Sequence, residues 1–136
     1  MKIIIPGKPI PLKRPEVRFF SGRAIGYDPS YKDKVEARKQ LITQIKKDNI
    51  IYDCPIKMNI IAYMPIPKSL SQKKQKELIG TPHIKRPDLD NIIKFYLDLL
   101  EGYAYNRDEN ICDLNGSKVY DINARVEIIY EKIQSN

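Results

Sequence analysis

The sequence predicts an α+β fold, a small mixed β-sheet with helices packed against it. Three observations predict it: β-branched runs sit near both ends of the chain, an alternating run sits near the middle, and stretches of helical period lie between them. At 136 residues the chain suits one domain, residues 1–136, large enough for a real core and too small for two. Hydrophobic residues make up 42% and charged residues 30%, the balance of a globular chain rather than a disordered tail.

The elements follow in order. Residues 2–5 are a β-branched run stopped by Pro6-Gly7, and residues 10–12 are a candidate continuation. Residues 11–26, PLKRPEVRFFSGRAIG, place Lys13, Arg14, Arg18 and Arg23 around Phe19 and Phe20. Such a mixture suits phosphate contact plus stacking or wedging; the alternative is a surface hairpin whose phenylalanines pack on the core. Asp28 or Ser30 caps a helix that runs to about Lys47, with Val35, Arg38, Leu41, Ile42 and Ile45 on its mostly apolar face. Residues 56–64 alternate as a strand ended by Pro65 and Pro67.

Ser71 caps a short polar helix within residues 69–78. A second amphipathic helix starts at Asp88 or Asp90 and stops at Gly102, with Ile93, Tyr96, Leu97 and Leu100 as its buried stripe. A loop over residues 103–110 leads to strands at 111–114 and 117–120, broken at Asn115-Gly116, and at 126–130. The order is β, α, β, short α, α, β, β.

No apolar run approaches the roughly 18–20 residues of a membrane span, and the opening MKIIIPGKPIP is too short in apolar length and too rich in proline for a signal peptide. A cytoplasmic address and no membrane partner are expected. Cys54 and Cys112 lack metal or redox spacing and read as two reduced thiols. The net charge of +7 is unevenly distributed: residues 1–50 hold 12 Lys/Arg against 5 Asp/Glu, and residues 51–136 hold 12 of each. A basic excess confined to one part of the chain suits a polyanion; a lysine-rich chain made for solubility is the plainer explanation.

The chemistry centres on residues 83–102, HIKRPDLDNIIKFYLDLLEG. Pro87 keeps Arg86 out of the helical region. Two residues apart on a helix point roughly 200° from each other, so Asp88 and Asp90 converge only if Asp88 lies just outside the first turn. Asp90, Lys94 and Asp98 share the polar face. Asp108 joins the pair only by returning along about 18 Å of helix, a distance that six or seven extended residues at about 3.3 Å each can cover.

Carboxylates without His or Cys beside them suit Mg²⁺, with Mn²⁺ as the alternative, and hence phosphodiester hydrolysis. Lys94 can hold a carboxylate, contact the scissile phosphate or stabilise transition-state charge. The ordinary explanations are a helix cap at Asp88 or Asp90 and a surface i, i+4 pair at Lys94. His83, the sole histidine, is expected at the surface.

The longer pattern Arg86-Pro87-Asp88-Leu89-Asp90-Asn91-Ile92-Ile93-Lys94, followed by Leu97, Asp98, Leu100, Gly102, Asp108, Ile111 and Lys118, resembles the signature of the RusA family of Holliday-junction resolvases, small endodeoxyribonucleases common in phages and prophages. The resemblance is specific over residues 85–120 and looser at GKPIPLKRPEVR. It implies a homodimeric, Mg²⁺-dependent crossover junction endodeoxyribonuclease of DNA recombination and repair, which makes paired symmetrical nicks in four-way DNA.

Carried over, Asp88, Asp90 and Asp108 match the metal-binding acids and Lys94 the catalytic lysine, with Asn91 in the same motif. Lys13, Arg14, Arg18, Arg23, Lys85, Arg86 and Lys118 are the expected DNA contacts. Two departures stand out. Arg107-Asp108-Glu109-Asn110 keeps only the second acid of a family pair, so a fourth carboxylate falls to Glu109 or Asp98, and Arg107 is free to touch phosphate. The chain is also extended around residues 69–81. Against the enzyme stand a non-catalytic binder of branched or single-stranded DNA and a protein-interaction domain.

Overall fold

The structure, a computed structural model, describes residues 1–45 and 50–134. Its main sheet has four strands: β1 (Lys2–Pro6), β4 (Ile56–Pro65), β5 (Ile111–Asp121) and β6 (Arg125–Lys132), in the order β1-β6-β4-β5. β6 pairs antiparallel with both neighbours, whereas β4 and β5 are parallel, from Ile56↔Ile111 to Pro65↔Asp121. A parallel pair needs a crossover. Here it carries α2 (Gln72–Leu78) and α3 (Leu89–Leu100), while α1 (Tyr31–Gln44) follows a separate hairpin of β2 (Glu16–Phe20) and β3 (Arg23–Tyr27). The fold is α+β, as the sequence predicts.

β4 alternates buried and less buried residues along its length because its core-facing side chains recur every second position. Ile56, Met58, Ile60, Ala62 and Met64 meet Val126, Ile128 and Tyr130 of β6 and the buried side of α3 in one cluster. α1 adds Ala37 and Leu41 to that cluster. Its Gln44 amide also covers the edge of β1: the side-chain oxygen accepts from Ile4 N at 2.8 Å and the side-chain nitrogen donates to Ile4 O at 2.6 Å. Such cover blunts an open sheet edge. Among the described residues, no helix is long and apolar enough to cross a membrane.

Several expectations are corrected. Residues 10–12 do not continue β1. Asn115-Gly116 does not break β5, which is one eleven-residue strand. Gly116 serves close packing instead: a Cβ there would lie 2.5 Å from Ile93 Cδ1, so its absence lets α3 settle on the sheet. The stripe of α3 is rotated, with Ile92, Phe95, Tyr96, Leu99 and Leu100 buried and Ile93 and Leu97 only partly so. Residues 92, 95, 96 and 99 have the same i, i+3, i+4, i+7 spacing as the predicted set, and that register buries Phe95.

On α1 the small Ala37 joins Leu41 on the buried face, leaving Val35 and Ile42 exposed. Ser30 stands at its N-cap position without a side-chain capping bond, and the predicted end at Lys47 lies outside the described residues. Ser71 does cap α2, accepting from Lys74 N at 3.3 Å. Residues 103–110 are more than a loop: Ala104 and Tyr105 are fully buried, pinned by Tyr52 N to Ala104 O at 3.1 Å and Asn106 N to Tyr52 O at 2.9 Å. Cys54 and Cys112 are unpaired. His83 is half-buried rather than a surface residue, its ring 4.7 Å from that of Tyr120.

Candidate active site

Asp88 occupies the N-cap position of α3 with extended backbone, φ −68° and ψ 140°, and Asp90 lies in the first helical turn. Asp88 therefore stands just outside the helix, as convergence with Asp90 requires. Its side chain makes no capping hydrogen bond. Both carboxylates are exposed, at the helix end whose unsatisfied N–H groups and dipole favour negative charge. Lys94 is exposed one turn further along and forms no ion pair among the described residues; Asp98 is held by Lys34 at 3.6 Å.

The segment before Asp88 is held from below. Lys118, one of the expected DNA contacts, reaches from β5 and donates from Nζ to Lys85 O at 2.5 Å and to Pro87 O at 2.7 Å. Its backbone carbonyl accepts from His83 N at 3.0 Å. Burial and the nearby Lys118 and Lys85 charges push the His83 imidazole below its ordinary range.

The basic arm comes to the same place by backbone contacts. Ile10 N donates to Tyr96 Oη at 3.2 Å, Leu12 N to Asn91 O at 2.9 Å, and Lys13 N to the buried Ser30 Oγ at 2.9 Å. Burial pushes the Tyr96 phenol up to about 12, so it stays protonated in its contact with the arm. Lys13, Arg14 and Pro15 consequently line one hollow with Asp88, Asp90, Asn91 and Lys94. A neighbouring hollow is lined by Lys8, Leu12, Arg86 and Asp88. Lys8, absent from the expected DNA contacts, belongs here because the Pro-rich arm bends back onto α3. Arg18 and Arg23 lie further out, on the hairpin.

Asp108 does not make the expected return within the chain. It opens a single 3-10 turn (Asp108–Asn110) before β5, and its electrostatic neighbours are Glu101, Asp98 and Tyr105, at the C-terminal end of α3. Two measures agree on the separation. α3 spans about 18 Å at 1.5 Å per residue, and Lys118, at the Asp88 end, lies ten positions along the chain from Asp108. Burial first, then Glu101 and Asp98, push the Asp108 carboxyl up to about 6. Glu109 sits in the same 3-10 turn as Asp108.

The match to known sequences decides what this arrangement belongs to. The family model for endodeoxyribonuclease RusA matches residues 6–131. The chain belongs to the RusA family. It is also similar to the uncharacterized protein YqaN of Bacillus subtilis (strain 168), 27% identical over 139 residues that cover 99% of this chain and 98% of that protein. RusA membership places the chain among endodeoxyribonucleases.

The residues of this RusA chain fit a hard divalent cation through oxygen donors alone. No group of three or more His, Cys, Asp and Glu residues that could hold a metal occurs among the described residues. Asp88 and Asp90 are nevertheless two exposed carboxylates without capping bonds, and Mg²⁺ typically takes one or two carboxylates and completes its shell with water and substrate phosphate.

Proposed function

We propose that this RusA protein is a Mg²⁺-dependent endodeoxyribonuclease, with Mn²⁺ as a substitute, that resolves four-way DNA junctions by paired symmetrical nicks in recombination and repair. The observation that carries the reading is the mouth of α3: two carboxylates not used for capping, beside Lys94, which has no ion pair among the described residues, and the cationic arm residues Lys13 and Arg14. Asp88 and Asp90 would hold the cation, which would supply Lewis-acid polarisation of the phosphodiester and a bound water of lowered pKa. Lys94 stabilises the charge that develops on the phosphoryl oxygens. Lys13, Arg14, Lys85 and Arg86 neutralise flanking phosphates and set the strand's register.

Asp108 acts in this reading through a homodimer. Two equivalent nicks call for two equivalent sites, which a two-fold axis supplies. β5 is an edge strand, and residues 80–83 cover only its C-terminal part, through Gly80 N to Tyr120 O and His83 N to Lys118 O. Its exposed Leu114 marks the part beyond that cover. Two such edges set antiparallel reverse the strand direction across the axis. Asp108 of the partner subunit is thereby carried toward the Lys118 end, where Asp88 and Asp90 stand. Of the two apolar chain ends, Val126–Tyr130 offers no free edge because β6 lies inside the sheet, and the β1 edge carrying Ile3–Ile5 is covered at Ile4 by Gln44.

The test is incubation of the purified protein with a synthetic four-way junction and a matched linear duplex in Mg²⁺. Two symmetrical nicks in the junction and an intact duplex are expected. If every branched substrate stays intact in both Mg²⁺ and Mn²⁺ while junction binding persists, the non-catalytic DNA binder is the correct description.

A further inference from the structure

The hairpin of β2 and β3 is not explained by the site at α3. All ten of its strand residues are exposed, and it forms a sheet of its own. Ser21 and Gly22 both have positive φ, 51° and 75°, the two-residue turn that matches strand twist. Phe19 is 79% exposed and Phe20 is 70% exposed, so neither packs on the core. A two-stranded hairpin with large apolar side chains in water gains from a partner.

The register defines what the hairpin presents. Phe20 faces Arg23 and Arg18 faces Ile25, so these four share one face, and Phe19 shares the other with Ala24 and Val17. Arg18 also lies over the Tyr27 ring, 4.2 Å from its centroid. The tip thus carries an aromatic ring on each face, with cations beside them. At its base, Pro15 leads into β2 and lines the hollow that holds Asp88, Asp90 and Lys94.

We propose that Phe19 and Phe20 form a wedge that stacks against bases at the branch of a DNA junction, while Arg18 and Arg23 hold the adjoining phosphates. The inference rests on the proposed junction activity and adds to it the means of selecting a branch over a duplex. Charge complementarity favours nucleic acid as the occupant, and continuity with the carboxylate hollow places the wedge beside the strand to be cut. Bases at a branch are cheaper to unstack than those inside a duplex. Stacking on an aromatic ring tolerates any base sequence. In this arrangement the hairpin is a positioning device, and chemistry stays with α3.

The chain contains no tryptophan and 9 tyrosines, so Phe20→Trp introduces a single tryptophan that red-edge excitation reads apart from the tyrosines. Binding is measured with Ca²⁺ in place of Mg²⁺ to separate it from cutting. The Phe20→Trp protein is expected to show emission quenched by a four-way junction and little changed by a linear duplex. The paired Phe19→Ala, Phe20→Ala variant is expected to bind the junction about tenfold more weakly, with an unchanged circular dichroism spectrum and elution volume. It should also abolish the fluorescence rise of 2-aminopurine placed at the branch.

Equal quenching by junction and duplex, or a 2-aminopurine rise retained in the alanine variant, overturns the wedge while leaving junction cutting standing. A changed elution volume assigns the hairpin to a contact between copies of the chain and also overturns it. If the wild-type protein does not bind junctions at all, the proposed function fails with the wedge.

Discussion

At the scale of single residues, the same side-chain type performs different work according to where its charge is engaged. Lys94 and Lys118 are both lysines of the matching pattern, yet Lys94 is exposed and has no ion pair among the described residues, whereas the Lys118 ammonium is held by two backbone carbonyls. Lys118 therefore positions residues 85–87, and with them Asp88. Lys118→Met is expected to lower junction cleavage roughly 10- to 100-fold, the usual cost of removing an outer-shell support, and to raise the Mg²⁺ concentration needed. The salt dependence of junction binding should stay that of the wild type. A logarithmic salt slope shallower by about one would mean that Lys118 contacts phosphate after all.

At the scale of elements, the helix bearing the site rests on the strand beneath it through Gly116 and Ile93. Gly116→Val adds bulk where even one carbon would lie 2.5 Å from Ile93 Cδ1. It should destabilise the protein by about 1–3 kcal/mol, read as a lower denaturant midpoint. Ile93→Ala in the same chain should recover part of that loss, a non-additivity expected only of residues in contact. A Gly116→Val protein as stable as its parent would show that α3 does not depend on this approach.

The same contact shows where sequence reasoning reaches and where it stops. The strands at residues 2–5 and 56–64, the Ser71 cap and the helix after Pro87 are local events, set by alternation, capping chemistry and proline, and are readable as such. Gly116 carries the same letter whether it turns the chain or admits a helix, and only the partner element decides. The rotated stripe of α3 has the same origin, since two registers fit one spacing and the sheet and α1 select between them. The full burial of Tyr105 depends likewise on a remote segment around Tyr52.

At the scale of the whole molecule, one chain gathers Asp88, Asp90, Lys94 and the basic arm at one end of α3 and leaves Asp108 at the other. The mouth of α3 was legible because its spacing and its proline are local. The separation of Asp108 was not, because chain length alone permits a return and only the direction of β5 prevents it. The two ends meet in the proposed antiparallel dimer, where each site takes Asp88 and Asp90 from one subunit and Asp108 from the other.

Mixing Asp90→Asn and Asp108→Asn subunits by co-refolding, with a four-way junction and Mg²⁺, tests this directly. Each variant alone should bind junctions and leave them uncut. In a mixed dimer one site combines both defects and the other is intact, so the mixture should regain cutting as single nicks rather than paired ones. A mixture as inactive as its two components, beside a wild type that cuts, would contradict a site shared across the dimer.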